Sequence, residues 1–120
     1  MPDRYEDERG VIQDLITRRI DAVTEITTKA GMVRGNHTHA QTTQYTYVVS
    51  GRMLFVAQID SGPFESVIRG PGELVTELPG VPHAWRAIED TTVLVFTRGP
   101  RSGDAFESDT VRLSEQDKLL

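Results

Sequence analysis

Along most of this chain apolar and polar residues alternate with a period of two, the pattern of strands that bury one face. Over residues 52–59, Met53, Phe55, Ala57 and Ile59 fall on one side. Residues 22–28 are rich in β-branched side chains, which suit a pleated surface, and they stop at Lys29-Ala30-Gly31. Residues 44–50 form a similar run, ended by Gly51, and shorter runs follow at 65–68, 74–78 and 83–88. The run at 91–97 is the most apolar and is expected to be central. No ten-residue stretch of the interior carries a helical period.

Glycine and proline mark the connections. Ser50-Gly51 predicts a hairpin between the runs on either side of it, with glycine supplying a positive φ. Asp60-Ser61-Gly62-Pro63, Arg69-Gly70-Pro71-Gly72 and Pro79-Gly80 read as loops. Many short strands at this spacing predict an all-β sandwich or barrel. One domain is expected over residues 1–120, with a barrel core over about 20–98. Residues 11–16 are expected to form an edge strand or a dimer contact; an unpaired edge invites pairing, so a homodimer is expected. After Arg98 the chain turns polar and is expected to be a peripheral tail, with a helix cap at Ser108 or Ser114 or a last strand.

Composition removes several function classes. With 120 residues, 38% hydrophobic and 26% charged, the chain can bury a core and does not read as disordered. A net charge of -5 disfavours nucleic acid as a partner, because phosphate contacts need clustered cations. No apolar run is long enough to span a bilayer, so no membrane partner is expected. The start is acidic and lacks an apolar centre, and a cytoplasmic location is expected. The absence of cysteine excludes disulfides and thiolate chemistry.

The chemistry concentrates in the histidines. His37 and His39 lie two apart and project to the same face of a strand, and His83 follows the Pro79-Gly80-Val81-Pro82 turn. Imidazole is the commonest metal ligand and an acid–base group near neutral pH, so convergence of the three would make a site. The alternative is that they are polar barrel filling held by hydrogen bonds. Trp85 shares the face of His83 and reads either as a sugar-stacking ligand contact or as packing. Among Arg34, Arg52, Arg86, Arg98 and Arg101, Arg34 is singled out as an anion contact because it adjoins His37 and His39. The loop at 99–103 is too loose to read as a phosphate cradle.

Gly31, His37, His39 and Gly51, with Gln44 between, then Gly72, Gly80 and His83, together resemble the two motifs of the cupin superfamily. Gln44 stands where that family has glutamate, Leu78 where it has proline and Ala87 where it has asparagine. The resemblance implies a single-domain jelly-roll β-barrel with His37, His39, Gln44 and His83 facing inward. It implies a divalent transition metal (Fe, Mn, Ni or Zn) on the three histidines, with Gln44 as an optional neutral ligand or a hydrogen-bonding partner. A metal-dependent enzyme of oxygenase or isomerase type follows, acting on a small polar, carbohydrate-like or keto-acid substrate.

A second resemblance rests on Asp7-Glu8-Arg9-Gly10 and on Arg34-Gly35-Asn36-His37-Thr38-His39 with Gln44. These are similar to the dTDP-keto-sugar 3,4-ketoisomerases and, more distantly, the dTDP-4-dehydrorhamnose epimerases. That likeness implies metal-free chemistry, with His37 and His39 as base and proton relay and Arg34 on an anion. Tyr45 or Tyr47 is then the candidate acid, although in a regular strand both point away from Gln44. A non-catalytic cupin that binds a small ligand is the third reading.

Overall fold

A computed structural model describes residues 4–100 and 108–120. It holds β1 (Arg4–Asp7), β2 (Gly10–Gln13), β3 (Ala22–Thr28), β4 (Val33–His39) and β5 (Thr43–Ser50). These are followed by β6 (Met53–Gln58), β7 (Phe64–Arg69), β8 (Leu74–Glu77), β9 (His83–Ala87), β10 (Thr91–Arg98) and β11 (Thr110–Arg112). A single 3-10 turn, Glu115–Asp117, ends the described chain. No helix among the described residues is long and apolar enough to cross a membrane.

Two sheets face each other as a jelly-roll sandwich, the all-β architecture that the alternation predicts. One has the order β3-β10-β5-β8 and the other β11-β4-β9-β6-β7. The central place of β10 agrees with its apolar sequence, and every second residue from Thr91 to Thr97 is buried. Val48, Met53, Phe55, Val75, Trp85, Ala87, Val93 and Val95 fill the space between the sheets. Each comes from the inward half of a period-two pattern, so the hydrophobic effect sets which face turns inward.

Three regions differ from expectation. The runs flanking Ser50-Gly51 do not form a hairpin: β5 pairs with β10 and β8, while β6 pairs with β7 and β9. The turn instead carries the chain from one sheet to the other. Gly51 (φ 87) is needed there because a Cβ would lie 2.4 Å from the Asp90 carbonyl oxygen. A positive φ is equally required by either kind of turn, so sequence alone did not separate them.

The stretch after Arg98 is not peripheral. β11 pairs with β4, and Leu119 packs with Val56 and Ala84 against the outer face of the five-stranded sheet. Asn36 ties this end down: its Oδ1 accepts the Leu119 N–H at 2.8 Å and its Nδ2 donates to the Leu120 carbonyl at 3.1 Å. Ser114 precedes the 3-10 turn, whereas Ser108 and Asp109 are themselves helical and lead into β11. Arg101 and most of the loop at 99–103 lie outside the described residues. At the other end, β2 (Gly10–Gln13) takes in only residues 11–13 of the stretch 11–16, and it pairs with β1 in a separate two-stranded sheet. Tyr5, Val11 and Ile12 are exposed on it.

Candidate metal centre

β4 and β9 run antiparallel, and their register sets His37 directly opposite His83. The approach is close because Gly35 has no side chain: a Cβ there would lie 2.9 Å from the His83 carbonyl oxygen and 3.0 Å from Ala84 Cα. Gly35 (φ 92) and Asn36 (φ 59) both take left-handed conformations, and the register shifts between Gly35 and His37. This is a β-bulge, which re-aims the side chains that follow it. Beyond the bulge, His37 and His39 turn together into the lumen.

The three rings form one cluster. Ring centroids are 4.6 Å apart for His37 and His39, 4.7 Å for His37 and His83, and 5.6 Å for His39 and His83. One nitrogen from each lies within 4.8 Å of the others, close enough for all three to reach a single ion. They line a cavity of about 470 Å³ together with Gln44, Thr46, Glu77, Trp85, Val95, Arg34 and Arg112. Phe55 stacks on the far side of His83 at a centroid distance of 6.2 Å.

The polar surroundings prepare the rings unequally. His83 Nδ1 lies 3.1 Å from the Val81 carbonyl, which can only accept, so Nδ1 carries the proton and Nε2 presents its lone pair. His39 Nδ1 lies 3.6 Å from Asp109 Oδ2 and 3.3 Å from Thr110 Oγ1. Asp109 is itself fixed, accepting the Gln41 N–H at 2.6 Å and a short hydrogen bond from the Thr42 hydroxyl. Burial, and then repulsion from His83, His39 and Arg112, pull the His37 pKa down to about 3. Burial lowers His83 as well, with the Val81 contact opposing it. Glu77 goes the other way: burial raises it to about 7, although the Thr46 hydroxyl, at 2.6 Å from Oε1, favours its ionised form.

Of the residues singled out in sequence, His37, His39, Gln44, His83, Arg34 and Trp85 all line this cavity. Gln44 points its amide nitrogen at Thr97 Oγ1, 3.4 Å away. The Arg34 guanidinium is committed to the end of β3, donating to Thr28 Oγ1 at 2.8 Å and to the Thr27 carbonyl at 3.0 Å. Trp85 is 6% exposed and belongs to the core cluster, so packing is its main contact. Tyr45 and Tyr47 do not enter. Gln44, Thr46 and Val48 take the inward positions of β5, and the tyrosines between them occupy the opposite face.

Three lining or supporting groups were not read from sequence: Glu77, Asp109 and Arg112. Glu77 carried a signal, because it alternates with Val75 and so shares the buried face of its strand. Asp109 and Arg112 carried none. They sit in a polar stretch, and only pairing of β11 with β4 brings them to the histidines, Arg112 opposite His37.

Comparison with known proteins settles the family. Residues 24–97 match the cupin domain family. The chain is a cupin. Among solved structures, this cupin is similar to a dTDP-4-dehydrorhamnose 3,5-epimerase from Sulfolobus tokodaii, at 18% identity and a TM-score of 0.75 over 98% of this chain and 76% of that one. It is likewise similar to QdtA, a sugar 3,4-ketoisomerase from Thermoanaerobacterium thermosaccharolyticum solved with TDP: 17% identity, TM-score 0.75, 97% of this chain and 87% of that one. The capsular polysaccharide assembling protein CapF from Staphylococcus aureus aligns at 20% identity and a TM-score of 0.71 over 95% of this chain. The cupin spans only 34% of CapF. No curated protein sequence matches it.

Proposed function

We propose that this cupin holds a divalent transition metal on His37, His39 and His83 and acts as an enzyme on a small polar substrate, carbohydrate-like or a keto acid. The observation that carries the reading is the convergence of three imidazoles in surroundings that keep His37 and His83 neutral. Neutral imidazole is the ligating form, whereas a ring whose pKa is near 3 is a weak base at neutral pH. The donor set fits Fe, Mn, Ni or Zn, all of which accept imidazole nitrogen. Such an ion, when bound, supplies a Lewis acid that polarises a substrate oxygen.

The chain's own residues do the rest. The Val81 carbonyl fixes the His83 tautomer, and Asp109 restrains the His39 ring, the support that ligating histidines need. Arg112 lines the cavity beside His37 and offers a cation to an anionic substrate group. Val95 and Trp85 exclude water from the inner wall.

A metal-free keto-sugar isomerase is the second reading, favoured by one observation. The buried carboxylate of Asp109 beside His39 Nδ1 would orient that ring as a base at carbon next to a ketone. His37 would relay the proton, and likeness in fold to QdtA and the epimerase is in keeping with this.

Elemental mass spectrometry of protein purified without a histidine tag decides between them. Near-stoichiometric Fe, Mn, Ni or Zn that falls in His83→Ala supports the metal centre. Protein that is metal-free and takes up none of these ions on addition would sink it, and dTDP-keto sugars become the first substrates to try. We also propose a cytoplasmic homodimer in which a second copy covers the β1–β2 hairpin, since an isolated two-stranded sheet is only marginally stable. A monomer mass at micromolar concentration in light scattering would refute the dimer.

A further inference from the structure

The four-stranded sheet holds a carboxylate where the histidine cluster lacks one. Gln44 on β5 offers only a neutral amide, but its cross-strand partner on β8 is Glu77. Paired residues of neighbouring strands point to the same face, their Cβ atoms about 5 Å apart. A carboxylate moved from one position to the other therefore still enters the same cavity. Glu77 is 5% exposed, lines that cavity, and places Oε2 3.5 Å from His83 Nε2.

That contact has an unusual character. His83 Nδ1 donates to the Val81 carbonyl, so Nε2 is a lone-pair acceptor, and the Glu77 oxygen facing it is an acceptor too when ionised. Two acceptors that face each other call for a proton or a metal ion between them. Their separation matches that of two ligands of one ion, roughly 3.4 Å for bonds of about 2.1 Å at the tetrahedral angle. No Lys or Arg is hydrogen-bonded or ion-paired to Glu77 among the described residues; its partners there are Thr46 and His83. A buried carboxylate without a counter-charge is costly, and a divalent ion would provide one.

We infer that Glu77 is the carboxylate of the metal centre, transposed from β5 to its cross-strand neighbour on β8. The inference rests on the three-histidine reading above. Glu77 supplies one negative charge to an otherwise neutral set of imidazoles, which raises affinity for the ion and lowers its Lewis acidity. Thr46 holds the other carboxylate oxygen, so the group is oriented before the ion arrives.

Competition of the whole protein with a chromophoric chelator for Zn(II), together with the visible spectrum of the Co(II) form, tests this without any activity assay. Glu77→Gln keeps the size and the Thr46 contact, and its Zn(II) affinity should fall by about 10–100-fold with a changed Co(II) spectrum. Adding Gln44→Glu to that variant should recover most of the lost affinity. Should Glu77→Gln fold poorly, Glu77→Asp withdraws the same charge by one methylene and should weaken binding in the same direction. Unchanged affinity and spectrum in the folded variants overturn the inference while leaving the three-histidine centre standing. Wild-type protein that binds no Zn(II) or Co(II) overturns both.

Discussion

The two walls of the cavity are made by the same strand alternation yet carry different chemistry. On the five-stranded sheet, β4 and β9 present the three imidazoles, drawn together by a bulge and a glycine contact. On the four-stranded sheet, β5 and β8 present acceptors and hydroxyls: Gln44, Thr46 and Glu77. Both walls need pairing across strands, but the first adds a bulge and a glycine contact to the β4–β9 register. Ligand geometry therefore depends on local backbone shape as well as register, whereas charge balance depends on register alone.

The strongest way to break the comparison is to take one group from each wall. His83→Ala should cause the largest fall in metal occupancy, since it removes one of the three imidazoles and the ring that Glu77 faces. Thr46→Val, taken from the opposite wall, should leave the ion in place with weaker binding. Equal loss in both variants, read by elemental analysis after dialysis, would mean that the walls do not divide the work.

Asp109 sharpens the picture, because a third element supports the imidazole wall from behind. Asp109→Ala leaves the Gln41 N–H and the Thr42 hydroxyl without their acceptor in a buried place and removes the group beside His39. A loss of about 3 kcal/mol is expected, read from the urea midpoint of metal-stripped protein. A change under about 0.5 kcal/mol would show that β11 does not hold the site together.

The walls should also limit stability at opposite ends of the pH scale in metal-stripped protein. His37 has a folded pKa of about 3 against 6.5, so the folded state binds fewer protons and stability falls as pH drops from 6.5 toward 3. Glu77 has a folded pKa of about 7 against 4.5, so the folded state binds more protons. Its contribution is complete below 4.5 and lost as pH rises through 7. The Glu77 effect is on the order of 3 kcal/mol at most. Glu77→Gln should flatten the upper limb and His37→Gln the lower one in thermal melts across about pH 4 to 8. Parallel curves for wild type and Glu77→Gln would contradict burial as the cause.

How much could be read from the chain follows from these same residues. Strand positions, the central place of β10 and the inward turn of His37, His39 and His83 were legible, because each rests on local alternation and on glycine turns. The route of Gly51 was not, since a hairpin and a crossing between sheets place the same demand on φ. Asp109 and Arg112 were hidden for a different reason. Nothing within residues 108–112 shows that they join β4, and only long-range pairing makes them part of the site. Glu77 lay between these cases, a charge on a buried strand face whose partner becomes visible only in register with Gln44.

The smallest effect is expected on the outer face of β5, and it tests the alternation itself. Tyr45 and Tyr47 flank Thr46, whose side chain points at Glu77, so their own side chains leave the sheet on the other side. A hydroxyl on that face has no path to a substrate bound among the histidines. Tyr45→Phe and Tyr47→Phe should therefore leave Zn(II) affinity unchanged within about twofold, and turnover likewise once a substrate is in hand. A tenfold fall in turnover with unchanged metal affinity would place a tyrosine in the proton path. The metal-free keto-sugar chemistry would then gain the acid that the inward face of β5 does not provide.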